Sequence, residues 1–130
     1  MKIRSHKELD VYKLAFEAAM KIYELSKKFP PEEKYSLTDQ IRRSSRSVCS
    51  NLSEGFRKRK YPKSFVAKLS DFEGEAAETQ TWLEHAVQCD YIDATKAREI
   101  HRLCDHVIGK LVKMGNDPEP WLLRKTNPSL

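Results

Sequence analysis

The chain has few residues that interrupt helices, and none of the common signatures of catalysis. Only four of its 130 residues are glycine, at positions 55, 74, 109 and 115. No glycine-rich phosphate loop, GxSxG or HExxH motif occurs, so the familiar routes to nucleotide binding, serine hydrolysis and zinc proteolysis have no sequence support. Three cysteines, Cys49, Cys89 and Cys104, are an odd number without CxxC spacing. That argues against a disulfide framework, fits a reducing compartment, and suits small buried side chains. No apolar run is long enough to span a bilayer, and MKIRSHKELD has no apolar core of a signal peptide, so a cytoplasmic protein without a membrane partner is expected. Strand signals are missing too: there is no sustained alternation and no Asn-Gly or Asp-Gly hairpin.

What is present is helical. Hydrophobic residues make up 39% and charged residues 33%, enough for one core in one domain. The spacing predicts a first helix from about Lys7 to Lys28, with Leu9, Tyr12, Phe16, Ala19, Ile22, Tyr23 and Phe29 as its apolar stripe. Glu17 with Lys21 and Glu24 with Lys28 give i,i+4 pairs on its outer face. Pro30-Pro31 ends it. A second helix starts near Ser36, a plausible N-cap, with the stripe Leu37, Ile41, Ser44/Ser45, Val48, Leu52 and Phe56. The third opens at Pro62 and follows Phe65, Leu69, Phe72, Ala76, Thr79, Leu83 and Ala86 to about Cys89, with Gly74 inside it. Asp93 caps a fourth through Ala97, Ile100, Leu103, Cys104, Val107, Ile108 and Leu111 to Met114, with Gly115 as its C′ residue. Four amphipathic helices with short links predict an all-α fold, an antiparallel up-down-up-down four-helix bundle over 1–115. An extended proline-containing C-terminal tail follows over 116–130, docked through Trp121 and Leu122.

Three constellations invite chemistry. His85 and Cys89 on one helix, and His101, Cys104 and Asp105 on the next, have ligand-type side chains, but the hairpin at Tyr91 offsets the groups by nearly a turn. No metal and no cofactor are expected. Glu54, Glu75 and Glu78 are the acids that stand out: Glu54 shares a helix with small and apolar residues, and Glu78 comes one place before the stripe position Thr79. A hydrolytic carboxylate pair is one reading. The stronger one is a structural ion-pair network in which Arg43, Glu54 and Glu78 set helix register, with Arg42 and Arg46 as alternative partners. The third feature is the charge distribution. The net charge is +5, yet residues 42–68 hold nine Lys/Arg against one acid, Glu54. Arg42, Arg43 and Arg46 lie on the second helix. Arg57, Lys58, Arg59, Lys60 and Lys63 form a knuckle between helices two and three, beside Phe56 and Tyr61. Cations next to aromatics suit phosphate contact and base stacking, and a solvated turn is the competing reading.

The segment LTDQIRRSSRSVCSNLSEG, Leu37 to Gly55, resembles the signature helix of the 23S rRNA-intervening-sequence proteins; Gln40, Ile41, Arg42, Arg43, Ser47, Asn51, Glu54 and Gly55 match. GEAAETQTWLEHAVQCDYI, Gly74 to Ile92, resembles the family's third helix through Glu78, Thr79, Trp82, Leu83 and Tyr91, and HKELDVYKLA resembles its opening. Many members carry proline where this chain has Cys49, so a kink there should be absent or weaker. The resemblance implies a four-helix bundle without established enzymatic activity and a homopentamer. It also implies kinship to accessory factors of the reverse transcriptases of diversity-generating retroelements. The resulting expectation is a non-catalytic, oligomeric nucleic-acid-binding or adaptor protein meeting RNA or DNA, and in one version a reverse transcriptase. The alternative is a protein-binding scaffold whose arginines serve subunit contacts. Tyr12, Tyr23, Phe72, Trp82 and Trp121 exceed the aromatic surface one small core should hide, which supports an oligomer.

Overall fold

The computed structural model describes residues 4–123. The remainder of the proline-containing tail, 124–130, lies outside the described residues. Among those described, every regular element is helical: α1 (Asp10–Ser26), α2 (Leu37–Arg57), α3 (Pro62–Gln88) and α4 (Ala94–Asn116), with single 3-10 turns at His6–Glu8, Pro31–Glu33 and Glu119–Trp121. No helix among them is long and apolar enough to cross a membrane.

Each helix packs on the next in sequence, and α1 closes against α4. Side-chain pairs run in opposite order along α2 and α3 and along α3 and α4. On α2 and α3, Arg43 meets Glu78, Ser44 meets Thr79, and Gly55 lies against Phe72. Between α3 and α4, Gln80 and Glu84 meet His101, and Gln80 also reaches Asp105. Lys21 of α1 reaches Glu99 of α4, and Arg42 of α2 donates to Ser26 at the end of α1.

The core has two apolar halves. One gathers Val11, Leu52, Phe65, Leu69, Phe72 and Leu111; the other gathers Ile22, Phe29, Ile41, Leu83, Ala86 and Ile100. Between them is a waist of small side chains, including Ala15, Ala18, Ser45, Ala76, Thr79 and Cys104, around a void of about 10 Å³. Inside α2 and α3 the buried Ser44 and Thr79 hydroxyls bond to each other at 2.9 Å. Buried hydroxyls need such partners, and serine lowers helix propensity, so α2 depends on packing.

The stripes expected for α2 and α3 are the buried ones. That of α1 is rotated. Val11, Ala15, Ala18, Ala19 and Ile22 face the core, while Tyr12 and Tyr23 are half-buried and Phe16 is 50% exposed. Alanines let α1 approach its neighbours closely, which leaves the bulkier aromatics at the flank. Phe72, expected among the surplus aromatics, is fully buried. Helix α1 is also shorter than expected: it begins at Asp10, behind the 3-10 turn, and ends at Ser26. Its outer ion pairs are Lys21–Glu99 and Lys27–Glu24 in place of the i,i+4 pairs.

Caps differ as well. Ser36 stands at the N-cap of α2 without capping it; its hydroxyl donates to Glu33, whose carboxylate also accepts from the Leu37 N–H at 3.3 Å. Asp93 does cap α4, accepting from Thr95 N at 3.0 Å. Gly115 lies inside α4, which continues to Asn116, and no described glycine has positive φ. The left-handed helix end is instead at Asp90, φ 60°, where Asp90 N–H bonds Val87 O and Tyr91 N–H bonds Ala86 O. Helix α2 runs unbroken through Cys49. Cys104 is buried and Cys49 half-buried, with burial holding their thiols up at about 12 and about 11, whereas Cys89 is exposed.

Candidate nucleic-acid interface

The basic residues divide into three environments. Arg43 is structural: its guanidinium bonds Glu78, and it stands 3.7 Å from Glu75 Oε2, an atom with no hydrogen bond of its own. That distance is long for a hydrogen bond and close enough for charge pairing. Glu54 is not in this group. It pairs with Lys68 at 3.2 Å, and its side chain is 61% exposed, so the three residues expected in one network fall into two separate pairs. Glu54 lies one position from Gly55, which meets Phe72, whereas Glu78 lies opposite Arg43. Eleven positions of α2 separate Arg43 from Glu54, about 16 Å along the axis.

Arg59 is the second case. Its guanidinium lies 3.4 Å from the centroid of the Phe56 ring, its Nε donates to Phe56 O at 2.9 Å, and partial burial lowers its pKa. Its own carbonyl accepts from Leu123 N–H at 3.2 Å. Trp121 and Leu122 pack against the same half of the core. Arg59 therefore clamps the start of the tail to the end of α2, so the knuckle does not face water throughout.

The rest form the third group. Arg42 and Arg46 lie over the face of Tyr23 at 5.0 and 5.6 Å, and Arg42 donates to Ser26. Arg57, Lys58, Lys60 and Lys63 are exposed. None of these six has an acidic partner within ion-pair distance among the described residues. Arg46 and Arg57 are eleven positions apart, close to three turns, so they share the outer face of α2. A surface groove along that face is lined by Lys34, Tyr35, Arg42, Arg43, Arg46 and Ser50, among others. Tyr35, which sequence reading passed over, is 84% exposed there. The available signal was an aromatic between Lys34 and an arginine-rich helix.

His101 sits between Glu84 and Asp105 at 3.5 and 3.7 Å, with His85 turned to Thr81 O. No group of three potential metal ligands forms among the described residues.

A model of the 23S rRNA-intervening sequence proteins matches residues 7–113, most of the chain and all of its helices but the last few residues of α4. The chain belongs to that family. A solved protein of unknown function from the S23 ribosomal protein family of Bacteroides thetaiotaomicron VPI-5482 is similar at 28% identity, with a TM-score of 0.72. The similarity covers 80% of this chain and 96% of that one. No curated protein matches. Within the family signature, Arg43, Glu78 and Thr79 serve α2–α3 packing here, and Gly55 makes room for Phe72, so much of the matching pattern encodes the bundle.

Proposed function

We propose that this protein is a non-catalytic, homo-oligomeric adaptor that binds nucleic acid through the outer face of α2 and the α2–α3 connection. The observation that supports this most is the set of six cations, Arg42, Arg46, Arg57, Lys58, Lys60 and Lys63, that no acid neutralises within the described residues. Such charges attract polyanions by releasing condensed counterions, so binding should be steeply weakened by salt. The oligomer rests on a second observation. Phe16 and Met20 are 50% and 47% exposed beside Tyr23 and Cys49, a side-by-side apolar strip across α1 and α2. Such strips mark contacts, and a ring of five is the arrangement the family resemblance suggests. Arg46 borders the strip, which favours a second reading: a scaffold in which it serves subunit contact. A reverse transcriptase is the protein partner the resemblance suggests for either reading.

Anisotropy titrations of RNA across a salt series test the first reading. Replacing Arg46, Arg57, Lys58 and Lys60 with Ser, with Arg59 retained, should weaken binding and flatten the salt slope. Equal binding by both proteins gives the scaffold reading the lead. Light scattering tests the oligomer: Phe16→Asp with Met20→Asp should lower the mass, and a wild-type monomer at micromolar concentration would overturn it.

A further inference from the structure

The groove on the outer face of α2 has a composition that a generic phosphate-binding surface does not require. At one end stands Tyr35, 84% exposed, immediately before α2 and with Lys34 Nζ 5.3 Å from its ring centroid. Along the floor lie Arg42, Arg43, Arg46, Ser47 and Ser50, and one acid, Asp39. Leaving a tyrosine ring in water wastes apolar area that this fold could have covered, and no described aromatic ring stacks on it.

We infer that this groove is a site for single-stranded RNA, with Tyr35 as a base-stacking platform at the entrance and Arg42 and Arg46 following the phosphates. The inference rests on the nucleic-acid reading above and specifies its substrate. An open ring can stack on a base only where that base is unpaired, since a duplex hides its base faces. Lys34 Nζ lies over one face of the ring, 5.3 Å from its centroid, and adds a cation beside the platform. Ser47 supplies a hydroxyl donor for a further phosphate oxygen, while that of Ser50 donates to Ser47 O at 3.3 Å. Asp39 decides between the two kinds of single strand. A carboxylate repels phosphate, but it accepts a hydrogen bond from a ribose 2′-hydroxyl, which DNA lacks. On α2 the groove runs from Thr38 to Ser50, a length of about 18 Å, room for a strand of a few nucleotides.

The test uses the full chain and three fluorescent probes of one sequence: a ten-nucleotide single-stranded RNA, the same strand as DNA, and the RNA annealed to its complement. Wild type should prefer the single-stranded RNA. Tyr35→Ala should weaken that complex roughly ten-fold or more with an unchanged salt slope, because stacking is lost and no charge is removed. Tyr35→Phe should retain the affinity, which separates stacking from any role of the hydroxyl. Asp39→Asn should narrow the gap between RNA and DNA. If Tyr35→Ala binds as wild type does, or the duplex and the DNA bind as tightly as the single-stranded RNA, this inference is overturned while the nucleic-acid reading stands. If wild type binds none of the probes in a salt-sensitive way, both fall together.

Discussion

A Cβ atom built at Gly55 would stand 2.7 Å from Cζ of Phe72. The ring of Phe72 has no exposed surface and cannot swing aside. Gly55 is thus the hollow in α2 that lets α3 come close, and Gly55→Ala should force the helices apart. Overpacking costs about 1–3 kcal/mol, partly offset by the roughly 1 kcal/mol that alanine gains over glycine in a helix, so a net loss is expected. Gly74 is the internal control. Its Cβ would meet nothing within 4 Å, so Gly74→Ala should stabilise by about 1 kcal/mol. Urea denaturation of both variants should give opposite signs; the same sign would contradict the packing described.

The ion pairs between α2 and α3 should differ in weight. Glu54–Lys68 is largely exposed, and Glu54→Ala should cost less than about 1 kcal/mol. Arg43→Ala should cost more, about 1–3 kcal/mol, since it leaves the buried Oε2 of Glu75 without its one nearby cation. Thermal melts of the two variants compare them directly, and equal losses would show that Glu75 rehydrates freely.

Asp90 holds the left-handed position after α3 at φ 60°, where a side chain carries a steric penalty. Asp90→Gly should keep both hydrogen bonds of the helix end and raise stability by about 0.5–1 kcal/mol, read as a higher denaturation midpoint. A drop would mean that the Asp90 carboxylate has a role its backbone does not reveal.

Stability should depend on pH through one hydrogen bond between the two connections at the same end of the bundle. The Tyr91 hydroxyl donates to Glu33 at 2.9 Å. Bonds from Ser36 and Tyr91 lower the Glu33 pKa, so its contribution is present above the ordinary value of 4.5 and is lost as pH falls through the depressed one. The same bond pushes Tyr91 up to about 12, so its contribution is complete below the usual 10 and is lost as pH rises towards 12. Tyr91→Phe should flatten the alkaline limb of a plot of denaturation midpoint against pH and only reduce the acid limb, where the Ser36 bond to Glu33 remains. An unchanged alkaline limb would show that Tyr91 ionises like a free phenol.

The clamp at Arg59 makes it unlike its neighbours. Arg59→Ala keeps the carbonyl that accepts from Leu123 N–H but removes the side chain that fixes that carbonyl against Phe56, so it should raise the accessibility of Trp121 to acrylamide, measured with Trp82→Phe as background, while Lys58→Ala leaves it unchanged. Equal quenching in both would mean that the backbone bond and the apolar contacts hold the tail without the Arg59 side chain.

How far the fold could be read from sequence followed side-chain size. In α2 and α3 the buried positions are marked by Ile41, Leu52, Phe65, Leu69 and Leu83, whose spacing is unambiguous. In α1 half of the buried face is alanine, a weak marker, and the conspicuous Tyr12, Phe16 and Tyr23 drew the predicted stripe off axis. Of the site, the basic cluster was visible as a run of residue types. Which cations are neutralised was not, because Glu54 and Glu78 face different heights of the neighbouring helix and only the α2–α3 register says which arginine or lysine each meets. Tyr35 lies in a connection, where no periodicity marks it.

The narrow waist also bears on how the chain chooses among competing alignments. Apolar stripes that recur every three or four residues remain roughly complementary if one helix slides past its neighbour by a turn. Here such a slide of α3 would carry Leu83 or Phe72 towards a level where Ala15, Ala18 and Ser45 leave room only for Ala76 and Thr79. The bulky side chain would collide, and the Ser44 hydroxyl would lose its partner on α3. The small middle layer therefore works like the wards of a lock: it adds little cohesion itself, yet it admits one alignment of four otherwise forgiving helices.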